Sequence, residues 1–277
     1  MASAPYAQEW LARGTERIGL HRYDPPADPA APIVLCFPAM GVPARFYRPF
    51  AVALRDAGLA VVVADLRGTG ASQPRPSRAS RYGYAELVED VGAVLAHLEP
   101  DRAGRPIVLL GHSLGGQACL LRLASAAEPA VAGLALVAVG LPYWRVYRRR
   151  KLAVLAFTQA IGAVAAMLGV WPGWGFGGRQ ARGVIRDWAY TARTGAFPPL
   201  SGVDMEAALA EVRTPVLAIS VEHDQYTPAP TVDHLVGKLT AAPVQREHYD
   251  GSADHFSWAR TTGPVAGRVA KFVAEVT

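Results

Sequence analysis

Residues 111–116, Gly-His-Ser-Leu-Gly-Gly, stand directly after a short apolar run at 107–110 and directly before a stretch with helical character. A G-x-S-x-G sequence between strand and helix is the pattern of a nucleophile elbow, a sharp turn that presents a serine hydroxyl at the end of a strand. The glycines have a mechanical reason. A side chain two residues to either side of the serine would collide with the adjoining strand and helix, and the serine itself takes strained backbone angles. Ser113 then stands at a helix N-terminus, where free N–H groups favour developing negative charge. The chemistry implied is acyl transfer through Ser113. An acid and then a histidine are expected further along the chain.

Around this motif, short apolar runs alternate with helical stretches. That alternation predicts an α/β protein with a mostly parallel central sheet covered by helices on both faces. Strands are expected at 17–22, 32–37, 60–64, 106–110, 133–139, 215–220 and 244–248, and helices at 46–57, 84–99, 114–127, 205–212, 231–239 and 265–276. The alternation breaks between 139 and 215, where no strand is expected. That segment opens on Pro142-Tyr143-Trp144 and a basic cluster, runs apolar over 152–170, and ends in Trp-Pro-Gly-Trp-Gly-Phe-Gly-Gly and a helix near 184–193. A long insert at one place in a sheet fold usually serves as a lid or substrate cap. The expected division is a core of 1–140 and 201–277, with a helical lid of 141–200 inserted before the acid-bearing strand.

The apolar stretch 152–170 follows five basic residues, as a membrane span would. Topology argues against a span. One crossing here would part Ser113 from any acid and histidine beyond residue 215. A lid is expected, with room for weak contact between it and an anionic membrane surface.

A serine hydroxyl needs a base within hydrogen-bond reach and a third group to orient that base. Of seven histidines, His112 lies inside the elbow and is expected to pack there. His21, His97, His223, His234 and His248 lie in or near predicted elements and turns. His255 lies in a loop after the last strand, which opens at the same carboxyl edge as the elbow, and is the expected base. The acid should follow the strand at 215–220. Asp224 is the choice there, with Glu222 its main competitor. Asp250 and Asp254 share the loop of His255, and Asp65 reads as structural. Backbone donors for an oxyanion are expected at Leu114 and at Ala39, with Met40 the alternative to Ala39. Pro38 has no N–H to give.

The order Ser113, Asp224, His255 matches that of the α/β hydrolases, and Asp65-Leu66-Arg67-Gly68-Thr69-Gly70-Ala71-Ser72 resembles a turn common in that superfamily. Phe37-Pro38-Ala39-Met40-Gly41 with Ala44-Arg45-Phe46-Tyr47, residues 182–188 and Asp254-His255-Phe256 resemble bacterial hydrolases near the serine-aminopeptidase and monoacylglycerol-lipase relatives. Many relatives carry His-Gly where Phe37-Pro38 stands here. The resemblance spans about residues 33–271. It implies an α/β-hydrolase fold and a serine hydrolase of esterase, lipase or thioesterase type. The alternative on the same fold is an acyltransferase, in which an alcohol or amine replaces water. The aromatic residues of the insert point to an apolar acyl group.

The remaining composition excludes other classes. At 51% hydrophobic and 18% charged residues, the chain is neither disordered nor a coiled coil. A net charge of +5 allows weak attraction to anionic surfaces, but no nucleic-acid motif accompanies it. The glycines of 65–72 lack phosphate-loop spacing. The two cysteines, Cys36 and Cys119, are expected as buried free thiols. No metal-ligand spacing stands out, and no cofactor is expected. The start of the chain shows no apolar signal segment, so a cytoplasmic location is expected.

Overall fold

A computed structural model describes residues 5–23, 26, 28–260 and 263–277. Eight strands form one sheet. In chain order they are β1 (Tyr6–Arg13), β2 (Glu16–Tyr23), β3 (Ile33–Phe37), β4 (Ala60–Ala64), β5 (Ile107–His112), β6 (Val131–Val137) and, beyond the insert, the two strands Val216–Val221 and Val244–Tyr249. The insert itself contains a two-residue pair, β7 (Val170–Trp171) and β8 (Gln180–Ala181), so the last two large strands are β9 and β10. The spatial order is β1-β2-β4-β3-β5-β6-β9-β10. β1 and β2 pair antiparallel, as do β2 and β4, and every later neighbour is parallel.

The strand β1 was not foreseen. It is an edge strand of mixed exposure, Tyr-Ala-Gln-Glu-Trp-Leu-Ala-Arg, with too weak an apolar alternation to stand out. Strands β3, β5 and β9 are buried along their whole length, as a parallel sheet covered on both faces requires. Two apolar clusters pack on the two faces. α1 (Arg48–Asp56) and the C-terminal helix Pro264–Val276 cover one. α2 (Tyr84–Arg102), α3 (Leu114–Ser125), the helix Met205–Ala210 and the insert cover the other.

The insert follows β6. It holds α4 (Lys151–Leu168) and α5 (Arg182–Thr194), close to the expected helices, joined by the glycine-rich loop and the small β7–β8 pair. The helix Met205–Ala210 is α6, and α7 (Ala229–Val236) and α8 (Pro264–Val276) follow β9 and β10. The insert reaches back to the core at several places, two of them beside the carboxyl ends of the strands. The loop 171–178 lies so close to the turn after β3 that a Cβ on Gly41 would stand 2.2 Å from the Gly177 carbonyl oxygen. Tyr147 Oη and Arg150 donate to the carbonyls of Tyr226 and Gln225 in the loop after β9.

Candidate active site

Because β3, β5, β6, β9 and β10 run parallel, the turns after each of them open at one edge of the sheet. The register aligns Phe37 with Gly111, Val137 with His112 and Ile219, and Tyr249 with Val221. The residues following these strand ends therefore meet, although Pro38 and Asp250 are 212 positions apart in the chain.

Ser113 follows β5 and precedes α3. Its backbone stands at φ 50° and ψ −121°, a region strongly disfavoured for a residue with a side chain. The neighbours permit this. A Cβ on Gly111 would lie 2.1 Å from the Gly116 Cα, and one on Gly115 would lie 2.3 Å from the Phe37 carbonyl oxygen. Leu114 opens α3, so its N–H belongs to the first turn, which has no carbonyl of its own helix to serve.

Asp224 and His255 come together as expected. His255 Nδ1 donates to Asp224 Oδ2 at 2.7 Å, and both side chains are almost fully buried. The carboxylate is held from every side. Its Oδ1 accepts the N–H groups of Tyr226 and Thr227, each at 2.8 Å, and its Oδ2 also accepts the Thr227 hydroxyl at 2.6 Å. Burial alone would push the Asp224 carboxyl up. The hydrogen bond and charge of His255, with the Thr227 donors, outweigh it and hold the carboxyl below the usual range. The bond to Asp224 places the ring proton on Nδ1 and leaves Nε2 with a lone pair.

Thr227 was not foreseen. The signal for it was present in the D-x-x-T spacing, which lets an aspartate accept bonds from positions two and three residues ahead. The competitors lie elsewhere. Glu222 is exposed and accepts from His248 Nε2 at 2.7 Å, and Asp254 caps its own turn through the N–H groups of Phe256 and Ser257. Parallel pairing of β9 with β10 sets His248 beside Ser220 and so gathers Glu222, His248 and Asp250 on the surface, ligand atoms within 4.8 Å of one another. The linear spacing shows no such grouping; its three members are exposed, with His248 Nε2 2.7 Å from the Glu222 carboxylate and 3.4 Å from that of Asp250.

Ser113, Leu114, Ala39, Met40 and His255 all line one cavity of about 710 Å³. No hydrogen bond joins the Ser113 and His255 side chains among the described residues. In unliganded sites such bonds are often long and tighten around substrate. The two expected donors after β3 differ sharply. Ala39 N–H donates to the buried Tyr47 hydroxyl at 2.9 Å, so it is already engaged. Met40 N–H has no partner among the described residues. Tyr47 therefore competes for the Ala39 N–H, and the Met40 N–H is the one of the two without such a partner among the described residues. Tyr47 in turn donates to His112 Nδ1 at 2.6 Å. His112 is neutral: burial, aided by His255 nearby, depresses it well below the ordinary imidazole range.

Asp65 follows β4 and ties turns together. Its carboxylate accepts the N–H groups of Ala44 at 2.6 Å and Ala71 at 2.7 Å, tying the turn 65–72 to the segment after β3. Burial raises its carboxyl to about 6, against those two bonds and the charges of Arg45 and Arg75. Cys36 and Cys119 are buried free thiols.

The sheet order and the turn at Ser113 define an α/β hydrolase. Residues 28–255 match the family described as serine aminopeptidase, S33, and the chain belongs to that family of hydrolases. Solved structures share the whole fold at low sequence identity. A thioesterase domain from the curacin biosynthetic pathway superposes with a TM-score of 0.63 at 17% identity, covering 97% of this chain and 99% of its own. A putative lipase from Acinetobacter baumannii gives 0.67 at 16%, covering 99% and 92%. A thermophilic esterase from Thermogutta terrifontis gives 0.64 at 17%, covering 98% and 99%.

Proposed function

We propose that this chain cleaves an ester or thioester of an apolar acid through a covalent acyl-enzyme on Ser113. The observation that carries this reading is the fully hydrogen-bonded Asp224–His255 pair opening onto the same cavity as the strained serine. In this reading His255 Nε2 takes the Ser113 hydroxyl proton as Oγ attacks the acyl carbon. Asp224 holds the imidazole in its tautomer and stabilises the imidazolium that forms. The tetrahedral oxyanion accepts from the N–H groups of Leu114 and Met40. His255 then gives its proton to the leaving alkoxide or thiolate. In the second half it takes a proton from water, which attacks the acyl-enzyme, and returns that proton to Ser113 Oγ as the C–Oγ bond breaks and the acid leaves. Water is the acceptor in this reading; transfer of the acyl group to an added alcohol or amine in preference to water would mark an acyltransferase instead.

The apolar acid is supported by Phe157, Phe176, Trp188, Tyr226 and Phe256, which line the cavity beside the serine. Three of these five belong to residues 141–200, and this is the support for reading that insert as a lid. Ser113→Ala should leave the fold intact and lower turnover roughly 10⁴- to 10⁶-fold, about 5 to 8 kcal/mol of transition-state stabilisation. A fluorophosphonate should label the natural chain and not the variant. Labelling that persists in Ser113→Ala sinks the assignment.

A further inference from the structure

Positive charge on this molecule is concentrated in one place. Residues 141–200 carry nine Lys and Arg and one acid, Asp187, a net charge of +8. The remaining chain carries the other 19 cations against 22 anions, a net −3. All nine cations of the insert are exposed. A molecule so polarised orients in the field of an anionic surface with this side inward.

The same side is apolar where a surface helix is ordinarily polar. On α4 only Thr158, Ile161 and Ala165 are buried. Leu152, Ala156, Ala160, Ala163 and Met167 follow one another at helical spacing and are all exposed. Leu152 is 65% exposed, Met167 76%, and Trp174 in the following loop 66%. Between 152 and 168 there is no charged residue. The water-facing stripe of a soluble helix carries charge; this one is apolar along its length and carries charge only at its N-terminal end.

Beside the stripe lies a groove of about 780 Å³ between α4 and α5. Gly162, Ala163, Ala166 and Ala189 line it, and so do Arg81, Arg182, Arg186 and Arg193. Asp187 engages Arg186. Four arginines around a groove lined by small apolar residues suit a phosphate with an acyl chain attached.

Residues Arg148–Leu168 are long and apolar enough to cross a membrane by length and composition. The sheet forbids a crossing. β6, which precedes the insert, pairs directly with β9, which follows it, so the chain leaves and re-enters one side of the same sheet.

We propose that the outer face of the insert docks on an anionic phospholipid bilayer, with α4 lying in the interface plane and the arginine-lined groove taking a lipid phosphate. Arg150 and Phe157, at the N-terminal part of this face, are exposed and also line the cavity that holds Ser113, so the docking face adjoins the site. The proposal does not depend on the acyl-enzyme reading, because binding is read without turnover.

The test is flotation of the purified chain on vesicles of phosphatidylcholine alone or with 30% phosphatidylglycerol, at low and high salt. At least tenfold more protein should float with the anionic vesicles, and high salt should reduce it, since screening shortens the reach of the surface charge. The combined variant Arg148→Gln, Arg149→Gln, Arg182→Gln, Arg193→Gln should lose that excess. Leu152→Ser with Met167→Ser should weaken flotation at low salt as well. These six positions are exposed, and turnover of a short soluble ester reports separately that the variants fold and that the chemistry is present. Absence of flotation overturns the proposal, as does equal flotation on neutral vesicles or flotation indifferent to the variants. A dimer in sedimentation that dissociates in Leu152→Ser with Met167→Ser, without flotation, assigns the face to a second copy and also overturns it. Resistance to alkaline extraction would mean a span.

Discussion

At the scale of single residues, the candidate site is decided by which partner each polar group already has. Two acids compete to orient His255, and their surroundings separate them. Asp224 is buried, accepts four hydrogen bonds and meets the ring; Glu222 is exposed and meets His248. In a well-studied triad enzyme, changing the acid to its amide costs about 10⁴ in turnover, because the imidazole is left in the wrong tautomer. Asp224→Asn should show a loss of that order in kcat, whereas Glu222→Gln should stay within about threefold, in keeping with the small energies of exposed ion pairs. Steady-state kinetics on the two variants, measured together, check this, and a more damaging Glu222→Gln would reverse the assignment.

At the scale of elements, one buried hydroxyl joins three segments that the chain keeps apart. Tyr47, in the short helix before α1, accepts from the turn after β3 and donates to the elbow after β5. The ring also packs edge-on against Trp258, in the turn that follows His255. Tyr47→Phe retains the ring and removes the bridge, leaving the Ala39 N–H and His112 Nδ1 buried without a partner. That should cost about 1 to 3 kcal/mol in urea unfolding. It should also lower kcat roughly 10- to 100-fold with little change in KM, since the loop bearing Met40 loses its tether and small misplacements are costly. If kcat is unchanged while stability falls, Tyr47 serves the fold alone.

At the scale of the whole molecule, buried titrating groups set the response to acid. Burial, with the charge of Arg45, depresses His21 to about 4, and burial depresses His112 well below its ordinary value. Both are neutral when folded, whereas the unfolded chain takes up protons near pH 6.5. Their contribution is therefore complete above about pH 6.5 and is lost as pH falls below it, that of His21 down to about 4. Asp65 acts in the opposite sense. Its carboxyl is raised to about 6, so the folded state binds a proton first and gains stability as pH falls through 6 toward the unfolded value. His21 stacks on Tyr6 with ring centroids 4.1 Å apart, a place that phenylalanine can fill. His21→Phe should shrink the fall in Tm between pH 7 and pH 4, and Asp65→Asn should enlarge it. Thermal melts across that range check both signs, and parallel curves for all three proteins would refute the assignment.

The sequence by itself determined what depends on local geometry and on chain order. The elbow, the parallel strands, the two insert helices and the order serine, acid, histidine are local: each follows from spacing of apolar residues, from glycine beside a strained turn, or from position after a strand. It did not reveal β1, an edge strand whose half-exposed pattern is stabilised by pairing with β2 rather than by its own periodicity. Nor could it choose between Ala39 and Met40. Their difference is a hydrogen bond to a tyrosine hydroxyl, which accepts from the Ala39 N–H, and a main-chain N–H has no signature in sequence. Parallel pairing of β9 with β10 likewise gathered Glu222, His248 and Asp250, and the packing of the insert left α4 with a bare apolar face. These are facts of tertiary structure because each depends on what a group meets across the fold, and two chains with the same local pattern can differ in that alone.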